Sequence, residues 1–543
     1  MFNARRVAPV LFVVLIGVLL VRLPVAAANR ASVYTWYEPL IDVERLVTRD
    51  FVTDPDREAM LQGAITGLLQ SLNDPYTEFI PARDVAEFDK QTRGAFVGIG
   101  AEVRMEDGWL KIISPLEDSP AYKAGIMADD RITAVDGEST FGLSIFDCIA
   151  KLTGEPNTPV VVTVERDGET FDVEIIRARI VTQTVRGVHR IDDRWDFWLA
   201  PEEGIAYLRI SQFTTSTAAD VERVVRELLA GGMRGLILDV RFNPGGMLNS
   251  AIEIADLFLS EGVIVSTQGR AHSPQRFTAR SRGTLPDFPI VVLANRQSAS
   301  ASEIVAGALS DNGRAIVLGE RTFGKGSVQN VVPLPSGAGQ LKITEQHYYL
   351  PSGRSLHRSD DDAAWGVDPT PGFYLPMTDE EARKMLTIRR EEEIIRQRNG
   401  EADEEHRWTD PEWVLARLQD AQLTGAVAAL RDKAAHNEWR PVSEAVAAAD
   451  AISSDEMRRT EQARERLLRE VARVDRRLDA LRTTGAREQP PTDLLPEDLD
   501  LTGGVLNVVD AQGNTIATLR ITGPGIERWL MDAPLQRDDA QQE

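Results

Sequence analysis

The sequence predicts an α/β core, preceded by a mostly β module and a helical N-terminal segment, and followed by a mainly helical extension. Three observations carry this. From about Val181, apolar strands alternate with amphipathic helices, the signature of a layered α/β fold. Between Gly94 and Arg179, short apolar runs are separated by glycine turns, which reads as β structure. Past Pro376 the chain turns charged, alanine-rich and helical in pattern.

Taken in order, residues 1–28 read as a secretory signal or an uncleaved anchor. Arg5-Arg6 precede the apolar run Val10–Val21, and small residues follow Pro24. The expectation is export to the periplasm or cell envelope, with an inner-membrane tether if the segment is retained. Residues 29–93 form the helical N-terminal segment, with Leu61, Ile65, Leu68, Leu69 and Leu72 at helical spacing and Asn73-Asp74-Pro75 as a stop. Ala82–Lys90 reads as a further helix. Residues 94–179 are the β module. Its strands are Phe96–Val103, Leu110–Ile113 and Asp129–Gly137, with short helices at Ser119 and over Ser144–Leu152, and a closing hairpin across Asp167-Gly168.

The core is assigned to 180–376. Leu236–Val240 and Pro289–Ala294 are continuous apolar strands, so they are expected to be buried on both faces. Residues 377–485 form the charged helical extension, in which Leu467, Val471, Val474, Leu478 and Leu481 alternate four and three apart. Two heptads are too few for a coiled coil, so the pattern reads as a bundle helix, and the region beyond about residue 430 is a candidate docking or oligomerisation element. Residues 486–543 read as a linker, a hairpin around Gln512-Gly513-Asn514 and a polar tail.

Composition narrows the function. A net charge of −23 excludes a nucleic-acid binder, which needs a basic footprint. The single cysteine, Cys148, sits among Ile145, Phe146 and Ile149 and reads as a small buried hydrophobe. The six histidines have no metal-ligand spacing, so no metal or other cofactor is expected.

The chemistry gathers between Asn295 and Gln329. Ser298, Ser300 and Ser302 crowd a turn before the apolar helix Ile304–Leu309. Ser300-Ala301-Ser302-Glu303 has capping-box form, and on that evidence alone Ser300 is only a helix cap. Lys325 lies between Gly324 and Gly326, where a plain surface lysine reads equally well. As a base for a serine it must be neutral, so its pKa must fall by about three units, roughly 4 kcal/mol of lost preference for the charged form. Burial does that. Lys325, Ser327 and Gln329 are expected on one face, where Gln329 can hydrogen-bond the amine without charging it. Arg241-Phe242-Asn243-Pro244-Gly245-Gly246-Met247 follows a buried strand. It is either an ordinary tight turn or a set of amides ready to hold an oxyanion.

Taken together, these stretches resemble the carboxyl-terminal processing (tail-specific) peptidases. The words are AITGLLQSLNDPYTEFI, LILDVRFNPGGML, SASASEIVAGALSDNGRAIVLGERTFGKGSVQ and YLPSGRSLH, spanning about residues 58–430. VGIG, SPAYKAG and DDRITAVDG resemble a PDZ domain. The resemblance implies a crotonase-like α/β core with an inserted PDZ domain and a Ser–Lys dyad. It implies Ser300 as nucleophile, Lys325 as general base and Gln329 as its orienter. An oxyanion hole would come from the Ala301 amide with an amide of Gly245 or Gly246, and Asp311 stands where some members have a supporting acid. Val97, Gly98, Ile99 and Gly100 would receive the carboxylate of an apolar protein C-terminus. Thr153-Gly154 departs from the arginine many members carry there, and Asp360-Asp361-Asp362 is an acidic insert. A peptide-binding scaffold with an inactive core is the alternative. A Ser–His hydrolase finds no histidine at the strand ends.

Overall fold

The computed structural model describes residues 35–85, 88, 95–191, 194–359, 364–395, 406–443, 447–483, 505–509 and 515–520. The signal or anchor reading of 1–28, the acidic insert, the linker and the polar tail lie outside these, as do four of the nine residues of the expected Ala82–Lys90 helix.

The chain divides into two compact units. One comprises Met1–Asp368 with Met377–Glu438; the other comprises Pro369–Pro376 with Trp439–Glu543. The expected boundary after Pro376 is therefore not where compactness ends: residues 377–438 fold with the core. The second unit carries the helix Ala447–Thr483 and the hairpin of Val505–Val509 with Thr515–Arg520.

In the first unit, four parallel strands form the centre of the core sheet, in the order Ile205–Ile210, Gly235–Asp239, Ile290–Ala294 and Ile316–Gly319. The three inner runs are apolar because both faces are covered. Leu236, Leu238, Ile290 and Val292 pack with Val221, Val225, Ile254, Ile304 and Val305 from the helices Thr217–Ala230, Leu248–Phe258 and Ala301–Asp311. Two loops leave the carboxyl ends of adjacent strands, 240–247 and 295–300, and functional loops gather at that edge of open α/β sheets.

A second, antiparallel sheet joins Gly339–Tyr349 to Ser327–Pro333, Val263–Gln268 and, unexpectedly, Glu78–Pro81. The N-terminal segment is thus not wholly helical. The helix Arg57–Gln70 ends before Asp74-Pro75, and the chain then adds an edge strand to the core. Its partner lies some 260 residues away, so local periodicity could not reveal it.

The PDZ module has its own sheet and a core built from Leu110, Ile112, Ile132, Val162 and Val164. Cys148 is fully buried there, as expected of a small hydrophobe. The expected strand Phe96–Val103 is broken at Ile99-Gly100. Its first half, Ala95–Gly98, pairs with Ala178–Val181, and its second half, Ala101–Glu106, enters the PDZ sheet. The helix Asp379–Glu393 meets this module through Arg390 to Glu102 at 2.6 Å, and Ile395 N donates to Ser114 Oγ at 3.0 Å.

Beneath the core sheet lies a buried charge cluster. The Arg241 guanidinium donates to Asp239 and to Asp420, with its closest contact to each at 2.7 Å, and to Gln422 at 3.0 Å. Arg389 donates to Asp420 at 2.9 Å, and Tyr207 Oη donates to Asp239 at 2.8 Å. Burial alone would raise the Asp239 pKa; Arg241 and Arg389 outweigh it and hold the carboxyl well below its usual range. Asp420 also caps the helix Ala421–His436. Removing one member strands buried charge, which costs far more than the pair contributes. Asp420→Ala is expected to lower stability by about 3 kcal/mol in urea denaturation, with Asp239 left as the one carboxylate against two guanidinium groups.

Candidate active site

The turn that follows strand Ile290–Ala294 places the three serines differently. Ser298 Oγ donates to Val240 O at 2.8 Å, and Ser302 Oγ donates to Asn243 O at 3.0 Å. Both hydroxyls therefore fasten the turn to the neighbouring strand end. Ser300 stands between them with φ 54° and ψ −113°, at the N-terminus of the helix Ala301–Asp311. A non-glycine residue in that region stores about 1–3 kcal/mol of strain and persists only where its surroundings over-determine it. Ser300 is 8% exposed, and its hydroxyl donates to no acceptor among the described residues.

What over-determines the turn is Glu303. The sequence suggested a capping box, and Glu303 Oε2 does accept Ser300 N at 2.7 Å. The same oxygen accepts Lys325 N at 2.9 Å, while Oε1 accepts Thr322 Oγ1 at 2.6 Å and Gly324 N at 2.7 Å. One fully buried carboxyl thus fixes the serine turn to the lysine loop. Burial pushes its pKa up to about 7; the hydrogen bonds from Thr322, Gly324, Ser300 and Lys325 pull the other way. The Gly366-Val367 turn braces this pair: Val367 N donates to Thr322 Oγ1 at 2.7 Å. A Cβ on Gly366 would lie 2.6 Å from the Thr322 hydroxyl and 3.1 Å from Glu303 Oε1.

Lys325 is half-buried in the loop ahead of strand Ser327–Pro333. Burial lowers its pKa from the ordinary value and Lys342 lowers it further, against Glu303, Asp74 and Glu78. That is the direction a lysine base requires. Its Nζ makes no hydrogen bond to Ser300 Oγ among the described residues. Gln329 does not reach the amine either. A bulge at Val328/Gln329 breaks the expected alternation with Lys325 and Ser327, and Gln329 Nε2 donates to Ser327 Oγ at 2.8 Å and Thr344 Oγ1 at 3.2 Å.

The glycine pair lies against the serine turn. A Cβ on Gly245 would sit 2.8 Å from Ser300 Cβ and 3.0 Å from Ala301 N, and one on Gly246 would strike Phe213 O at 2.0 Å. Their φ values, 100° and 141°, also require glycine. Gly245 N is already donated to Asn243 Oδ1 at 2.8 Å. The amides of Gly246 and Ala301 have no acceptor among the described residues, so these two are available for a developing oxyanion.

Asp311 is a correction. It ends the serine helix, about 16 Å along the axis from Ser300, where its Oδ2 accepts Ser352 N at 3.0 Å. It supports a distant loop and stands apart from Ser300 and Lys325. In the PDZ module, Val97 and Gly98 are paired with Arg179 and Ala178, while Ile99 and Gly100 form the break, their carbonyls accepting Ala121 N and Leu116 N. Gly98 lies against Leu152 and Thr153 at the end of the PDZ helix. That end is held by a residue the sequence did not single out. Arg177 donates to Lys151 O at 2.8 Å, Leu152 O at 3.2 Å and Pro159 O at 2.9 Å, and it fills the space a Gly154 side chain would take.

A strained serine at a helix N-terminus, paired glycines beside it and a partly desolvated lysine tied to the same turn have the chemistry a serine-type peptidase site needs, on a chain that also carries a PDZ domain. Residues 204–370 match the model of Peptidase family S41, residues 111–166 a PDZ domain, and residues 28–83 the Activating protease CtpB N-terminal domain. The carboxy-terminal-processing protease of Bartonella bacilliformis is 34% identical over 422 residues, covering 76% of this chain and 92% of that protein. Carboxy-terminal processing protease CtpB of Bacillus subtilis is 34% identical over 335 residues (61% and 66%), and the carboxyl-terminal-processing protease of Synechocystis sp. is 36% identical over 297 (54% and 68%). The chain belongs to peptidase family S41 and is a carboxy-terminal processing serine protease with a PDZ domain.

Two predictions follow from the geometry around Glu303 and Lys325. Glu303→Gln puts an NH2 group against two donors, each costing about 1–3 kcal/mol when unpaired. Its kcat/KM on a peptide substrate is expected to fall at least about tenfold. Lys342→Gln removes a positive neighbour of Lys325 and frees Glu78, its partner at 2.8 Å. Both changes favour the charged amine, so the acidic limb of the kcat/KM profile should move to higher pH with its plateau unchanged.

Proposed function

We propose that the protein is an endopeptidase of exported proteins that cleaves by a Ser300–Lys325 dyad and recognises apolar C-terminal tails through its PDZ module. The observation carrying this is the single buried carboxyl of Glu303, which locks the backbone of Ser300 and of Lys325 to one point. Ser300 Oγ attacks the peptide carbonyl as neutral Lys325 takes its proton. The oxyanion forms against the Gly246 and Ala301 amides at the positive end of the serine helix. Lys325 then protonates the leaving amine, and water, deprotonated in turn by Lys325, releases the acyl group.

The gap between Ser300 Oγ and Lys325 Nζ supports a resting arrangement in which tail binding at Val97–Gly100 precedes alignment of the dyad. The helix Asp379–Glu393, in contact with both the PDZ module and the buried charge cluster, is suited to carry that signal. The core is read as crotonase-like. The N-terminal run Val10–Val21 supports delivery to the cell envelope, with or without a retained tether, and the extension supports self-association.

Protein lacking residues 1–28 is expected to degrade an unfolded, casein-like substrate, and Ser300→Ala or Lys325→Ala to abolish this. Cleavage that survives in Ser300→Ala would remove the dyad assignment. Binding of tail peptides with no turnover under any condition would favour the scaffold instead.

A further inference from the structure

The Asn73–Thr77 turn of the N-terminal segment reaches the catalytic lysine. Lys325 Nζ lies 4.8 Å from the centroid of the Tyr76 ring. The amine has no hydrogen bond or ion pair among the described residues, so this aromatic face is its direct attractive contact. A half-buried ammonium without a partner is costly, and a ring face offsets part of that cost.

The ring is held rigidly. Asn73 takes φ 53°, and Asp74 accepts Tyr76 N at 3.1 Å and Thr77 Oγ1 at 2.6 Å. Thr77 Oγ1 in turn accepts Thr344 N at 3.0 Å, after which Glu78–Pro81 zips onto Gly339–Lys342. Gln329 donates to the Thr344 hydroxyl, so the residue expected to orient the lysine is anchored beside this same turn.

We infer that Tyr76 is a positioning residue of the catalytic centre: its ring face seats Lys325 and stabilises the ammonium that the lysine becomes on taking the Ser300 proton. This rests on the reading of Lys325 as base. The proton passes from Ser300 Oγ to Lys325 Nζ and on to the leaving amine; the ring neither gains nor loses one. Burial raises the Tyr76 phenol, so the ring stays neutral through the cycle. The charged groups facing Lys325 are Lys342 from strand Gly339–Tyr349, Glu303 from the serine helix, and Asp74 and Glu78 from the N-terminal segment. His347 and His357, ring centroids 4.6 Å apart, face Asp74. The N-terminal segment is on this reading part of the active site as well as an edge strand.

The test compares pH–rate profiles of full-length wild type, Tyr76→Phe, Tyr76→Leu and Lys325→Ala on one peptide substrate. Tyr76→Leu keeps the site apolar but removes the ring face. Its kcat should fall about fivefold, and its acidic limb should move about half a unit to lower pH, because the charged lysine has lost its partner. Tyr76→Phe should match wild type in both. If Tyr76→Leu fails to fold, pentafluorophenylalanine at position 76 keeps the shape and reverses the ring quadrupole, and the limb should shift the same way. Wild-type kcat and limb in Tyr76→Leu or the fluorinated protein would overturn the inference, as would a Tyr76→Phe profile that follows Tyr76→Leu. Turnover in Lys325→Ala would instead remove the base reading beneath it, a separate failure.

Discussion

The buried carboxyl of Glu303 is the constraint on which the site depends. Its two oxygens take four donors from two loops that meet only through the fold, one leaving the central sheet and the other entering the antiparallel sheet. A carboxylate in such a place is expensive unless saturated with donors. Saturation fixes the Ser300 backbone in a conformation that no local preference would choose. The strain at Ser300 and the desolvation of Glu303 are thus two sides of one arrangement, each maintained by the other.

Much of the core could be read from the chain because its signals are local. Uninterrupted apolar strands, amphipathic helices and glycines at strand ends mark the sheet and its loop edge, and the PDZ hairpins announce their turns. The position of Ser300 at a helix start was visible in its capping-box pattern. That Ser298 and Ser302 are fasteners was not, since their acceptors, Val240 O and Asn243 O, lie on another strand. Glu303 could be seen as a cap for its own helix, but its bonds to Thr322, Gly324 and Lys325 needed the fold. Gln329 was misplaced by one feature, a bulge that alternation cannot foresee. Asp311 was carried to the site by resemblance, though helix length alone sets it a helix away.

The largest gap concerned long-range pairing. Tyr76 and the strand Glu78–Pro81 belong to a stretch that looks helical, yet the strand pairs with Gly339–Lys342 and the Tyr76 ring lies 4.8 Å from Lys325 Nζ. Arg177 likewise occupies the space opened by Gly154 and ties the PDZ helix to the closing strand through carbonyl contacts. Both cases join segments whose separate patterns give no hint of the other.

The cluster of Arg241, Asp239, Arg389 and Asp420 also joins parts of the chain that are made far apart. Arg241 stands four residues before Gly245, and two of its partners, Asp420 and Gln422, lie 179 and 181 residues later in the chain. As the polypeptide emerges, Ser300 and Lys325 are made well before those partners exist. Until then the strand end beneath the glycine pair holds an arginine with half its hydrogen bonds unmade. A chain that stops short of Asp420 therefore leaves the strand end beside Gly245 with a guanidinium group whose bonds to that carboxylate and to Gln422 cannot form.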